Sequence, residues 1–98
     1  MSNNAGQWRT DPYSIEFHDL LPEKEDIQQG VIYVSMRGRA IELRCPCGCG
    51  GLTELAIRPS HWSVTFDGKR LTLSPSIKAS MFPCHSHYHI VDSIAVRA

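Results

Sequence analysis

The sequence predicts an all-β fold, a small antiparallel β sandwich or open barrel of seven or eight short strands. Three observations carry that reading. Apolar residues alternate with period two through most of the chain after residue 30, glycine- and aspartate-bearing turns separate the alternating runs, and no segment sustains a helical period. Short strands of this kind bury their apolar faces by packing one sheet on another or by closing on themselves.

Residues 1–14 are polar and mixed, with Gly6 and Pro12, and read as a flexible N-terminal arm that Trp8 and Tyr13 pin to the rest. Residues 15–98 then form a single domain. The stretch "LPEKEDIQQG" places Pro22 at a first helical position, acids in the following turn and Gly30 as a stop. Its apolar periodicity is poor, so it reads either as two turns of helix or as an acidic surface loop. "VIYVSM" is a β-branched and aromatic run, "RGR" at 37–39 a turn, and "AIELR" sets Ile41 and Leu43 on one face. "LTELAI" is the next strand and ends before Pro59. "WSVTF" aligns Trp62, Val64 and Phe66, and Asp67-Gly68 turns the chain into "RLTL", with Leu71 and Leu73 facing inward. "YHIV", an Asp92-Ser93 turn and "IAVR" make a closing hairpin.

A chain of 98 residues buries only about 60–65% of the surface its unfolded form exposes, so a covalent or metal staple would help the small core. Ten basic residues balance ten acidic ones, which gives no reason to expect a nucleic-acid partner. No apolar run approaches the ~20 residues of a membrane span, and the first residues have no basic start followed by an apolar stretch. A cytoplasmic protein with reduced thiols is expected. In that setting clustered cysteines are more often metal ligands than disulfides.

All four cysteines fall in two clusters, "RCPCGCGGL" and "FPCHSHYHI". The glycines at 48, 50 and 51 let the chain turn tightly while backbone N–H groups point at thiolates. Three ligands from five residues is a tight demand on one tetrahedral ion, so one of Cys45, Cys47 and Cys49 reads as a spare, with Cys47 and Cys49 the surest pair. In the second cluster a turn would present Cys84 and His87 to the same ion. A regular strand would instead put His85, His87 and His89 on one face, opposite Cys84, and the turn is the favoured reading. The candidate ligands are therefore Cys45, Cys47, Cys49, Cys84 and His87, and the expected cofactor is Zn2+ in a Cys₄ or Cys₃His site that clips the β domain. His18 and His61 read as ordinary histidines, and His85 and His89 as solvent-facing or supporting groups.

"VIYVSM", the C-x-C-G-C-G cluster, "WSVTFDGKRLTLSPSI" and "FPCHSHYHI" together resemble a family of small bacterial cysteine- and histidine-cluster proteins. Its genes lie beside those of ubiquitin-like conjugation systems linked to phage defence. The resemblance spans about residues 28–97 and carries over Cys45, Cys47, Cys49, Trp62, Asp67, Gly68, Ser74, Ser76, Cys84, Ser86, His87 and Tyr88. The chain departs from the pattern at Arg44, where a histidine is expected, and in "RGRAIELR". The resemblance implies partners among a ubiquitin-like modifier and its activating and conjugating enzymes. It also implies a peptidase that processes or deconjugates the modifier.

On that reading, His87 is a general base if the four cysteines alone hold zinc, with Ser76 or Ser74 as nucleophile and Asp67 to orient the histidine. A spare Cys45 beside Arg44 is a second candidate nucleophile. The bland reading of "SPSI" is a turn whose serines bond their own backbone. The alternative function is a zinc-stabilised adaptor with no catalysis, which binds the modifier or its enzymes through a sheet edge or the surface near Trp62.

Overall fold

The structure is a computed structural model that describes residues 8–79, 82 and 84–98. Eight strands follow one another: β1 (Ser14–His18), β2 (Val31–Ser35), β3 (Ala40–Arg44), β4 (Leu52–Ala56), β5 (Ser63–Phe66), β6 (Leu71–Lys78), β7 (His87–Val91) and β8 (Ile94–Arg97). They form two four-stranded sheets in the orders β1-β2-β3-β4 and β5-β6-β7-β8. Every pairing is antiparallel except β1 with β2, which run parallel. The all-β expectation is borne out.

The period-two pattern explains which faces meet. Ile32 and Val34, Ile41 and Leu43, and Leu55 point inward from the first sheet. Leu71, Leu73, Ile77, Tyr88, Ile90 and Ala95 answer from the second. Ile41, Leu43, Leu71, Tyr88 and Ile90 have no exposed surface at all. Each such side chain contributes on the order of 1.5–3 kcal/mol of burial. Tyr13 and Trp8 join this core from the N-terminal segment. The Trp8 indole donates to the Ala95 carbonyl at 2.8 Å, packs edge-on against Tyr88, and carries the Arg97 guanidinium over its ring at 4.3 Å. Residues 1–7 lie outside the described residues.

Three elements differ from the sequence reading. Strand β1 was not foreseen, because "SIEFH" offers only Ile15 and Phe17 as alternating apolar positions; its pairing with β2, from Ser14↔Val31 to His18↔Ser35, supplies what the pattern lacks. The stretch "LPEKEDIQQG" forms no helix beyond a single 3₁₀ turn, Lys24–Asp26. It works instead as a strap across the outer face of the first sheet. Tyr33 Oη accepts the Gln28 N–H at 3.1 Å and donates to the Asp26 carbonyl, and Ile27 is buried beneath. The Arg44 guanidinium donates to the carbonyls of Lys24, Ile27 and Gly50 at 2.8–3.1 Å. Lastly, "SPSI" is no turn but the second half of β6. Pro75 cannot donate to a ladder, and it sits where β5 has already ended at the pair Ser63↔Ser74. The ladder to β7 shifts register in the same place, between Leu73↔Ile90 and Ile77↔Tyr88.

Under the strap, Glu42 lies directly opposite Glu54 on the neighbouring strand and is buried. Burial first, and then the Glu54 charge, raise its pKa above the usual carboxylate value; Arg44 and Lys24 oppose the rise. The folded state therefore holds the Glu42 proton to higher pH than the unfolded chain does, and stability falls as pH rises through that window. Glu42→Gln is expected to raise the melting temperature at pH 7.5, with the gain shrinking to nothing at pH 4 and below. Thermal melts across this range check it.

Candidate functional site

Two features meet at one end of the second sheet. The first is a four-sulfur cluster. β3 ends at Arg44, and the chain turns back through Cys45–Gly51 into β4, its neighbour in the sheet. The turn is closed by the Cys45 N–H on the Gly51 carbonyl at 2.8 Å and the Gly48 N–H on the Cys45 carbonyl at 3.1 Å. Gly48 and Gly50 both take φ near +85°, a conformation that side chains disfavour. Those two residues are what allow three cysteines in five positions to face one point. Cys84 comes from the segment before β7, and the four Sγ atoms all lie within 4.8 Å of one another. Cys45 and Cys47 are 3.4 Å apart, and Cys84 is 3.7 Å from both Cys45 and Cys49. None of the four is in a disulfide.

A tetrahedron of thiolates ~2.3 Å from a central ion has edges of about 3.8 Å. The three shortest separations are close to that size and the rest stay within 4.8 Å, so the four cysteines suit a metal ion with only small shifts. No cysteine of the first cluster is left over as a spare. The surroundings prepare the sulfurs unequally. Burial pushes the Cys45 and Cys49 thiols up, and the sulfurs of Cys47 and Cys84 add to it. At Cys84 burial also pushes upward, but the hydroxyl and backbone N–H of Ser86 outweigh it and bring the thiol down to about 6. The Ser86 hydroxyl donates to the sulfur at 3.3 Å. The Gly51 N–H similarly faces Cys49 Sγ at 3.4 Å.

The second feature is a serine and a histidine. Past Cys84 the chain takes a left-handed step at His85, φ +48°, and enters β7 at His87. Turn and strand thus both occur, one after the other, instead of excluding each other. The turn gives Cys84 to the sulfur cluster. The strand then sets His87 and His89 on the outer, solvent-facing side, with Tyr88 and Ile90 buried between them. His87 is paired with Lys78 at the end of β6. Its Nε2 lies 2.8 Å from Ser76 Oγ, inside the ~2.6–3.2 Å that proton transfer between a nucleophile and its base requires. The distance joins two residues that are 11 apart in sequence. The β6 register shift, just before Ile77, brings Ser76 alongside His87.

That arrangement, an exposed Ser–His pair on a strand tethered to a four-cysteine centre, can be set against known families. Residues 17–97 match the family model described as bacterial ubiquitination-like system serine protease (BubE). The chain belongs to this family. The resemblance read from the cysteine, serine and histidine motifs is borne out. No curated protein and no solved structure matches the chain.

The remaining candidates fall elsewhere. In this BubE-family chain Ser74 pairs with Ser63 at the end of β5, and its carbonyl faces the Ser63 hydroxyl at 3.5 Å. Asp67 sits in the β5–β6 turn, at the far end of β6 from His87. Its Oδ1 accepts the Lys69 and Arg70 N–H groups at 2.9 and 2.7 Å, and those bonds hold its carboxyl below the usual range. It caps a turn and does not reach the histidine. Among the described residues no carboxylate bonds His87. His18 bonds Glu16, and His61 bonds Ser60 next to it. Arg44, standing where a histidine was expected, ties the strap to the sulfur turn. Among the described residues no helix is long and apolar enough to cross a membrane.

Proposed function

We propose that the protein is a serine peptidase acting on the ubiquitin-like modifier of its conjugation system, with Ser76 as nucleophile and His87 as general base. Four cysteines, Cys45, Cys47, Cys49 and Cys84, hold a structural Zn2+. The 2.8 Å contact between Ser76 Oγ and His87 Nε2 carries the reading, and the family description agrees with it.

The Ser76 hydroxyl donates to Nε2 of neutral His87. As Oγ attacks the scissile carbonyl, a C–O bond forms and the proton passes to Nε2. The imidazolium then returns that proton to the leaving amine as the C–N bond breaks, which leaves an ester on Ser76. Water, deprotonated by the same Nε2, attacks the ester, and Ser76 leaves with the proton. With no carboxylate on His87, the pair works as a dyad. The His87 backbone is anchored by its carbonyl, which accepts the Ala98 N–H at 2.9 Å. Bound zinc would fix the segment from Cys84 to His87 and so aim the base. Four thiolates fill a tetrahedral ion and leave no position for water, which suits structural duty.

The test is active-site labelling. A fluorophosphonate should modify wild-type protein at Ser76, located by peptide mass spectrometry, and cleavage of the modifier precursor should stop in proportion. Labelling nowhere on the chain, with no cleavage by fresh protein, would turn the reading over to the adaptor.

A further inference from the structure

Beside the Ser76–His87 pair the fold leaves a gap. Among the described residues β5 pairs only with Leu71–Ser74, so residues 75–78 of β6 have β7 on one side and no described strand on the other. β4 is the last strand of the first sheet, with β3 as its one ladder partner. Between this strand and the uncovered half of β6 runs a groove of about 300 Å³, its apolar lining made by Leu52, Leu55, Trp62, Ile77 and Phe82, with Thr53, Glu54 and Lys78 also on its wall. Two of its lining residues, Ile77 and Lys78, directly follow Ser76. Trp62 also lines a second groove of about 360 Å³, with Val64, Pro59, Arg58 and Arg39. Trp62 is common to both linings, so the two grooves adjoin: one runs beside the residues that follow Ser76, and the other carries two arginines.

We infer that the path they form binds the substrate as an extended strand: apolar side chains run through its middle, and an acidic group lies about five residues before the cleaved bond. This rests on the peptidase reading above. Three observations support the occupant. First, the β4 edge has no strand partner among the described residues until Ala56, whose carbonyl takes the Trp62 backbone N–H, and such an edge offers main-chain donors and acceptors to an incoming strand. Second, the buried indole N–H of Trp62 has no acceptor among the described residues, and a main-chain carbonyl of the substrate would satisfy it. Third, Arg39 and Arg58 are exposed and bond no carboxylate, unlike Arg37, which pairs with Asp19. They leave two cations facing the far end of the path.

The spacing and direction follow from β4. Its five residues cover about 17 Å at ~3.4 Å per residue, the reach of about five substrate residues. Leu52 marks the catalytic end, since it lines the groove together with Ile77 and Lys78, the two residues after Ser76. Ala56 marks the cationic end, where its carbonyl accepts the Trp62 backbone N–H. A modifier cleaved near its C-terminus supplies the residues upstream of the bond, so its tail enters at the arginines and runs antiparallel to β4.

The experiment measures binding and cleavage separately. A fluorescein-labelled ten-residue peptide would carry two aspartates at its N-terminal end and leucine and valine through its middle; a second peptide has lysines for the aspartates. Anisotropy with the full-length Ser76→Ala protein keeps both intact. The acidic peptide is expected to bind at least fivefold tighter at low salt, with the difference shrinking at 0.5 M salt as charge is screened. Arg39→Glu with Arg58→Glu should reverse the preference. Trp62→Phe, which stays aromatic but removes the N–H together with the five-membered ring that carries it, should weaken both peptides several-fold. Equal binding of the two peptides, indifference to the arginines, or no binding at all would overturn the inference. If the acidic peptide binds as described but wild type never cleaves it, the groove stands and the peptidase reading falls.

Discussion

His87→Ala is expected to cut cleavage of the modifier precursor by about 10³-fold or more while leaving fold and metal content unchanged. The base contributes ~10²–10⁴-fold on its own, and removing either member of a nucleophile–base pair can approach the loss of both. Structural damage should be small. His87 lies on the exposed face of β7, and its side-chain bond is the one to Ser76. The backbone ladder to Lys78 and the Ala98 N–H bond do not depend on the ring. Ser76→Ala should cost a similar factor. The double variant should be scarcely worse than either single one, because each already removes the same proton transfer. Rates for the four proteins, with melting temperature and zinc content on each, check this. Additive losses would mean that the two residues act separately. A variant that loses metal along with activity would make His87 a ligand and not a base.

The legible part of this site was its residue types; the illegible part was their distances. Period two located β2 through β8, because each strand has one buried face and alternation records burial directly. It missed β1, whose parallel partner carries it; of the two readings offered for the acidic stretch, helix or loop, the loop is the one found. Pro22 and Gly30 look like helix ends, but the segment between them is held by Tyr33 and Arg44, which lie on other elements. Cysteine clustering announced a metal site. That all three of Cys45, Cys47 and Cys49 converge depends on positive φ at Gly48 and Gly50, and a list of residue types does not contain that conformation. Ser76 and Ser74 were indistinguishable by sequence, since both flank Pro75. The register shift between Leu73 and Ile77 separates them and gives Ser76 to His87. Asp67 drew attention as a third catalytic group, yet Asp-Gly is first a turn signal, and there the turn reading wins.

Chelating the metal is expected to unfold the chain or leave it without fixed packing, and to abolish cleavage with it. Cys45 and Cys84 stand 39 positions apart, so the four sulfurs close a long loop and join the β3–β4 turn to the start of β7. Among the described residues that corner is also held by the Ala79 N–H on the Ser86 carbonyl at 2.7 Å and by Gly51 packed on the Phe82 ring. Without an ion, four thiols crowd within 4.8 Å, with two of them buried. With an ion, its binding free energy becomes folding free energy, on the order of 10 kcal/mol for structural zinc near neutral pH. Purified protein should contain one zinc per chain, and Cys84→Ser should behave like the chelated form. Acid should do the same. Cys45 and Cys49 have raised pKa values, so loading the site must expel their protons, and apparent affinity falls as pH falls. Zinc release followed with a colorimetric chelator, beside circular dichroism at the same pH, should show metal loss and unfolding together. If the metal-free chain kept its melting temperature and its cleavage rate, the cysteines would be neither staple nor support for His87.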